Sequence, residues 1–202
     1  MKNISDTVIR LGQLVLRFGK TNRGTLYEDG TTPESDTDHT VMLGLVACAY
    51  AEQAAPHLDK GKIAQFALVH DLVEAYAGDT LTLKHMTEAD KKEKTERESA
   101  ALEHIRKEIG TALPWVHQTI EEYESLATPE ARFVKMMDKS MPSITHILNG
   151  GVAIYKQGYT LETLKPLREK HHKDWVTTYA HDQPEALKLF DELADKVHST
   201  LH

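Results

Sequence analysis

The stretch Ile63-Ala64-Gln65-Phe66-Ala67-Leu68-Val69-His70-Asp71-Leu72-Val73-Glu74-Ala75-Tyr76-Ala77 decides how this chain is read. It is apolar on nearly every side, the mark of a helix buried at the centre of a protein. Asp71 follows His70 inside it. A carboxylate without a partner in such a place costs several kcal/mol, comparable with the whole stability margin of a domain. A divalent cation compensates economically, because one ion satisfies an imidazole and a carboxylate together. The helix is expected over 59–77, with Gly78 as its C-terminal stop.

Outward from this segment the pattern stays helical. A first helix is expected over 4–18, with Val8, Leu11, Leu14 or Val15, and Phe18 on one face. A polar loop, 19–35, leads to a helix over 36–55 that Pro56 ends. Beyond a connection at 80–87, a charged helix covers 88–109. Its Lys91-Lys92-Glu93-Lys94 run reads as a solvated face with pairs four residues apart. Pro114 opens a short helix to about 126. Thr128-Pro129 caps and starts another, to about 149. Helices over 161–180 and 184–201 complete the chain. No strand alternation, repeat or low-complexity linker is visible. The expectation is one all-α domain over 1–202, a bundle of about seven or eight helices.

At 202 residues with a formal net charge of −7, the chain has no bulk attraction for a nucleic-acid backbone. An anionic substrate has to be held locally. A chain of this length buries about 70% of its surface, enough to fold without disulfides. The one cysteine, Cys48, reads as a small core residue. With a signal core missing from the first helix, it suggests a reducing cytoplasm. No apolar run reaches the length needed to span a bilayer.

The candidate metal ligands are His39, His70, Asp71 and Asp138. His39 lies near the start of its helix. Asp138 sits beside an apolar face made by Met137, Met141, Ile144 and Leu148. Pro142, four residues on, has no N–H for the Asp138 carbonyl, so a bend is expected there. Glu74 is four residues after His70 and shares its face. Asp79 follows Gly78 just past the helix end. A second His-Asp pair, His181-Asp182, precedes Gln183-Pro184-Glu185, where Asp182 reads as a helix cap without chemistry.

Taken together, His39, then His70-Asp71, then Asp138 resemble the H…HD…D pattern of the HD-domain phosphohydrolases. The likeness is closer to the helical 5′-deoxynucleotidases of the YfbR type and their eukaryotic HD-domain-containing relatives. It is carried by Arg23 through Pro33-Glu34-Ser35-Asp36-Thr37-Asp38-His39, by Ala67 to Ala75 with Gly78-Asp79, and by Lys92-Glu93-Lys94 through Glu98. It covers about 8–150, the metal-site core. The C-terminal helices, about 151–202, add little to it.

The resemblance implies one divalent metal held by His39, His70, Asp71 and Asp138. Mixed nitrogen and oxygen ligands suit Mn, Co, Fe or Zn. It implies that Glu74 and Asp79 position water and substrate as catalytic residues. It also implies that Arg23, or Arg17 in second place, holds phosphate. The expected activity is hydrolysis of nucleoside 5′-monophosphates, deoxy ones first, by a homodimer. Some relatives carry a tryptophan after the arginine where this chain has Gly24, and Glu28 and Asp29 add negative charge to that loop. The alternatives are an HD phosphodiesterase or pyrophosphohydrolase and a non-catalytic nucleotide sensor. Lys84, His85 and Lys139 lie near the motifs without a physical argument for a role.

Overall fold

A computed structural model describes residues 3–80 and 87–201. The elements run α1 (Ile4–Phe18), β1 (Asn22–Leu26), β2 (Pro33–Ser35), α2 (Asp36–Ala54), α3 (Lys60–Val69), α4 (Glu74–Ala77), α5 (Glu88–Ile105), α6 (Trp115–Glu124), α7 (Pro129–Leu148), α8 (Val152–Lys156), α9 (Leu161–Trp175) and α10 (Pro184–Thr200). Wider turns continue α5 over Arg106–Gly110 and α9 over Val176–Ala180. The all-α reading holds for the fold as a whole. No described helix is long and apolar enough to cross a membrane.

Local chemistry explains the helix starts. Ser35 caps α2 and exchanges bonds with Asp38, a reciprocal pair that satisfies two otherwise orphaned donors. Thr87 and Asp90 do the same for α5. Thr128 caps α7, with Pro129 at its first position. The Lys91–Lys94 run of α5 pairs with Glu88, Glu96 and Glu98.

Two large apolar clusters carry the fold, and a third, of Ile154, Val197 and Leu201, has Leu161 and Leu164 packed against it. The larger joins α2, α3, α7 and α10 through Leu43, Phe66, Phe133, Met137 and Phe190, with Tyr123 from α6. The smaller joins α1, α4, α5 and α6 through Leu14, Phe18, Leu72, Ile105 and Ile120. On α1 the buried face is Thr7, Leu14 and Phe18; Val8 and Val15, expected inside, are exposed. Cys48 is half-buried against the larger cluster rather than within it.

Three expectations fail in instructive ways. The loop over 19–35 contains an antiparallel hairpin, with Asn22 opposite Ser35 and Leu26 opposite Pro33. Its turn is closed by Asp29, which accepts from the amides of Thr31 and Thr32 at 2.8 Å and from the Thr32 hydroxyl. Gly30 takes a left-handed φ of 65° there. Asn149, Lys156 and Gln157 donate to the carbonyls of Leu26, Gly30 and Gly24, so α7 and α8 hold the hairpin in place.

The helix expected over 59–77 is broken. α3 ends at Val69, and α4 starts at Glu74. The bonds Leu72 to Val69, Glu74 to Asp71 and Tyr76 to Val73 span three residues, not four. The imidazole explains the change. His70 Nδ1 lies 2.8 Å from the Ala67 carbonyl, the group an α-helix reserves for the Asp71 amide. Gly78, with φ 76°, stops α4 as expected.

Asp182 is not a cap. Gln183 occupies that position before α10, and Asp182 pairs with Arg132 at 2.6 Å.

Candidate metal centre and its cavity

The structure brings all four proposed ligands together. His39, His70, Asp71 and Asp138 each offer one donor atom, and these atoms lie within 4.8 Å of one another. They come from α2, the α3–α4 break and α7. Helix α7 stays continuous through Pro142 and presents Asp138 at 5% exposure.

The donor set tests well for a cation. A carbonyl only accepts, so His70 Nδ1 donates to Ala67 and carries the ring proton. That leaves Nε2 to face the other donor atoms. It lies 2.9 Å from Asp71 Oδ2 yet makes no hydrogen bond. A ring nitrogen and a carboxylate oxygen held at that distance need positive charge between them, which a metal ion supplies. His39 Nε2 is likewise 2.9 Å from Asp138 Oδ1, and the two imidazole centres are 5.2 Å apart.

A supporting layer surrounds these atoms. Glu34 Oε1 lies 3.5 Å from His39 Nδ1, and Thr25 donates to Glu34 Oε2 at 2.5 Å. Burial opposes charge on Glu34, but its contacts with His39 and Thr25 still hold the carboxyl below the usual range. Lys139 donates to Asp138 Oδ2 at 2.7 Å. Tyr123 packs edge-on to His70, at 6.3 Å between ring centres.

Arg23 and Arg17 separate cleanly. Arg23 donates to Asp71 Oδ2 at 2.9 Å and to Asp36 Oδ1 at 3.3 Å, and it lines the cavity above the cluster. Residues two apart on a strand face the same way, so β1 aims Arg23 and Thr25 together at the centre. Arg17 instead lies over the Tyr76 ring and bonds the Ala75 carbonyl, a structural role. Glu28 and Asp29 sit at the exposed tip of the hairpin, outside the cavity lining.

Glu74 is buried at 5% exposure, and its Oε2 has no partner. The three-residue turn stacks it in line with Asp71 rather than with His70. Burial pushes its carboxyl up to about 10, with repulsion from Asp71, Asp79 and Asp36 adding to that. Asp79 is half-buried and raised by burial despite the Arg23 charge. Asp36, fully buried at the start of α2, is raised to about 7 by burial, against Arg23.

Sequence reasoning missed Glu34, Asp36 and Tyr123. The Ser35–Asp38 capping pattern locates the first two beside a helix start, but nothing local signals Tyr123. Lys139 lacked an argument and now has one in its bond to Asp138. Lys84 and His85 lie outside the described residues, as does most of the expected connection at 80–87.

Above the cluster opens a cavity of about 860 Å³. Arg23, Glu74, Asp79, Lys94 and Lys139 line it together with His70, Asp71 and Asp138, and residues of α9 and α10 contribute a further wall.

Comparison with known proteins follows this geometry. The HD domain family profile matches residues 16–178. The chain belongs to the HD-domain family. Within that family it is similar to 5′-deoxynucleotidase HDDC2 of Xenopus laevis, 33% identical over 117 residues, covering 57% of this chain and 55% of that protein. The Danio rerio protein of the same name is 30% identical over 135 residues, covering 66% and 64%. This HD-domain chain thus matches 55% and 64% of the length of those curated relatives. A solved structure described as a "Predicted metal-dependent phosphohydrolase" from Magnetospirillum magnetotacticum MS-1 shares the fold. Its TM-score is 0.70 at 23% identity, covering 96% of this chain and 98% of that one.

Proposed function

We propose that the protein is a metal-dependent phosphomonoesterase that hydrolyses nucleoside 5′-monophosphates, deoxy ones preferentially, to nucleoside and phosphate. One observation carries the reading. Four convergent donors sit at the floor of a cavity, with Arg23 and Lys139 on their two carboxylates and an unpartnered Glu74 beside them. The relatives named 5′-deoxynucleotidase support the substrate class.

His39, His70, Asp71 and Asp138 would hold one divalent ion; Mn, Co, Fe and Zn suit this donor set. When bound, such an ion lowers the pKa of a water and offsets charge on a phosphoryl group. The chain's own residues do the rest. Arg23 donates two parallel bonds to phosphate oxygens, a fit that a planar guanidinium provides. Lys139 holds Asp138 in place and adds positive charge at the same end. Glu74, which ionises once a bound cation offsets the burial and the neighbouring carboxylates that raise its pKa, would take the proton of the attacking water, and Asp79 would accept a hydrogen bond from the substrate. The new bond joins water oxygen to phosphorus. The bond to the 5′ oxygen breaks, and that oxygen takes the proton that Glu74 removed from the water as the nucleoside leaves.

The same reading takes 1–202 as one domain working in the cytoplasm as a homodimer. Large exposed apolar side chains support self-association. They include Ile4, Val8 and Leu16 on α1 and Val41, Leu45 and Leu68 on α2 and α3. The deciding assay is phosphate release from ribo- and deoxyribonucleoside monophosphates with Mn, Co or EDTA. Metal-dependent release from 5′-monophosphates is expected. Silence across the panel, from protein shown to carry metal, overturns the reading in favour of another phosphoester or a sensor.

A further inference from the structure

Alone among the described helices, α9 contributes no fully buried residue. Yet Leu161, Leu164, Leu167, His171 and Trp175 recur at helical spacing on its half-buried side. Such a stripe ordinarily disappears into a core. Here Leu164 packs only in part, against Ile154, Val197 and Leu201, and Trp175 meets the Phe190 ring edge-on at 5.0 Å, while Leu164, Leu167 and Trp175 also line the cavity. The same cavity runs on to His70, Asp71 and Asp138.

The two ends differ in charge. Near the ligands, Arg23 and Lys139 are placed for an anion. At the far end Arg168 is already held by Asp195 at 2.7 Å and Asp191 at 3.1 Å, and His172 also meets Asp191 at 3.4 Å. Lys165 lines this end as well but is itself exposed. Arg23 is likewise held by Asp71 and Asp36, so what marks the phosphate end is the cluster of candidate metal ligands beside it; Arg168 has no such cluster beside it among the described residues. A flat, largely apolar ring would meet leucine, valine and aromatic side chains. The volume, about 860 Å³, is within the range of pockets that hold small organic ligands.

We propose that the apolar wall formed by α9 and α10 receives the nucleobase of the substrate, making Leu164, Leu167 and Trp175 specificity-determining residues. The orientation rests on the phosphomonoesterase reading: phosphate at the cluster, base against α9. His171 lies close enough to Lys139 to feel its charge, so the stripe starts within reach of the phosphate end.

Two measurements test this on the full chain. In the first, Leu167→Trp fills the apolar end, and the metal-loaded enzyme is assayed on a deoxynucleoside 5′-monophosphate and on deoxyribose 5-phosphate, which lacks only the base. The expected result is a fall in kcat/KM of about tenfold or more for the nucleotide, with less than about threefold change for the sugar phosphate. Equal falls, or no fall, overturn the proposal. The second needs neither metal nor turnover. The chain has two tryptophans, and Trp115 is an exposed residue bonded to Gln65. In Trp115→Phe protein the fluorescence reports Trp175 alone. A phosphate-free deoxynucleoside in EDTA is expected to change that emission at about 1 mM, the upper end of ordinary KM values. No change overturns the proposal, and this titration decides if Leu167→Trp does not fold. Wild-type protein that hydrolyses neither ester while Trp175 responds to nucleoside sinks the phosphomonoesterase reading and leaves the base site standing.

Discussion

Helices α7 and α9 are written in similar terms. Each follows a threonine, each contains an internal proline, and each carries apolar residues at helical spacing. Their fates differ. α7 buries Phe133, Val134, Met136, Met137 and Met141 between α2, α3 and α10, and α9 buries nothing fully. Amphipathic spacing announces a face that needs cover; it does not say what provides it. For α7 the cover is protein, which makes the helix a rigid mount for Asp138. For α9 the cover is part protein, at Leu161, Leu164 and Trp175, and part cavity.

The contrast can be broken at several points. The largest expected effect is at the mount itself. Asp71→Ala or Asp138→Ala should lose bound metal and activity together, by at least about a thousandfold in kcat/KM, checked by metal analysis and phosphate release. Either variant keeping full metal content and turnover removes the centre as read. Apo wild-type protein should also melt below the metal-loaded form, because binding to the native state adds to stability.

Glu74→Gln is the next largest. It should keep metal and lower kcat by roughly 10² to 10⁴-fold, the usual worth of a positioned proton acceptor. Asp79→Asn is expected to raise KM more than it lowers kcat. The reverse pattern would exchange the two roles.

Stability should separate the helices. Phe133→Ala empties a fully buried site on α7 and should cost about 3–5 kcal/mol by denaturant unfolding. Leu164→Ala on α9 should cost less, about 1–2 kcal/mol, since a partly buried side chain leaves a smaller cavity. Comparable losses at both sites would mean that α9 is core after all.

A pH-dependent effect comes from His146 on α7. It is buried, and burial lowers its pKa to about 4, against 6.5 for an ordinary histidine. The unfolded chain therefore binds a proton that the folded chain refuses between those values. Its contribution is fully present above pH 6.5 and is lost as pH falls towards 4, about 3 kcal/mol in all. His146→Gln should flatten the slope of stability against pH in that window relative to wild type. An unchanged slope refutes the assignment.

What could be read in advance followed from local rules. Helix starts at Ser35, Thr87 and Thr128 and the stop at Gly78 are set by neighbouring backbone donors and by a left-handed φ. The four ligands stood out because charge in an apolar run needs an explanation. The hairpin was missed because Asn22-Arg23-Gly24-Thr25-Leu26 lacks alternation and is held from outside by Asn149, Lys156 and Gln157. The break after Val69 was missed because periodicity counts side chains by polarity. It does not register an imidazole that takes its own helix's carbonyl.

The sequence by itself therefore determined the helical class and, with the resemblance, picked out four residues whose donor atoms converge and the arginine, Arg23, that lies beside them. Each depends on residues near one another in the chain or on a charge too costly to bury alone. Only the tertiary structure decided that Arg17 serves Tyr76, that Glu34 and Lys139 brace His39 and Asp138, and that α9 walls a cavity. Those outcomes depend on which surfaces meet across up to a hundred residues of chain, and packing, not local preference, settles that.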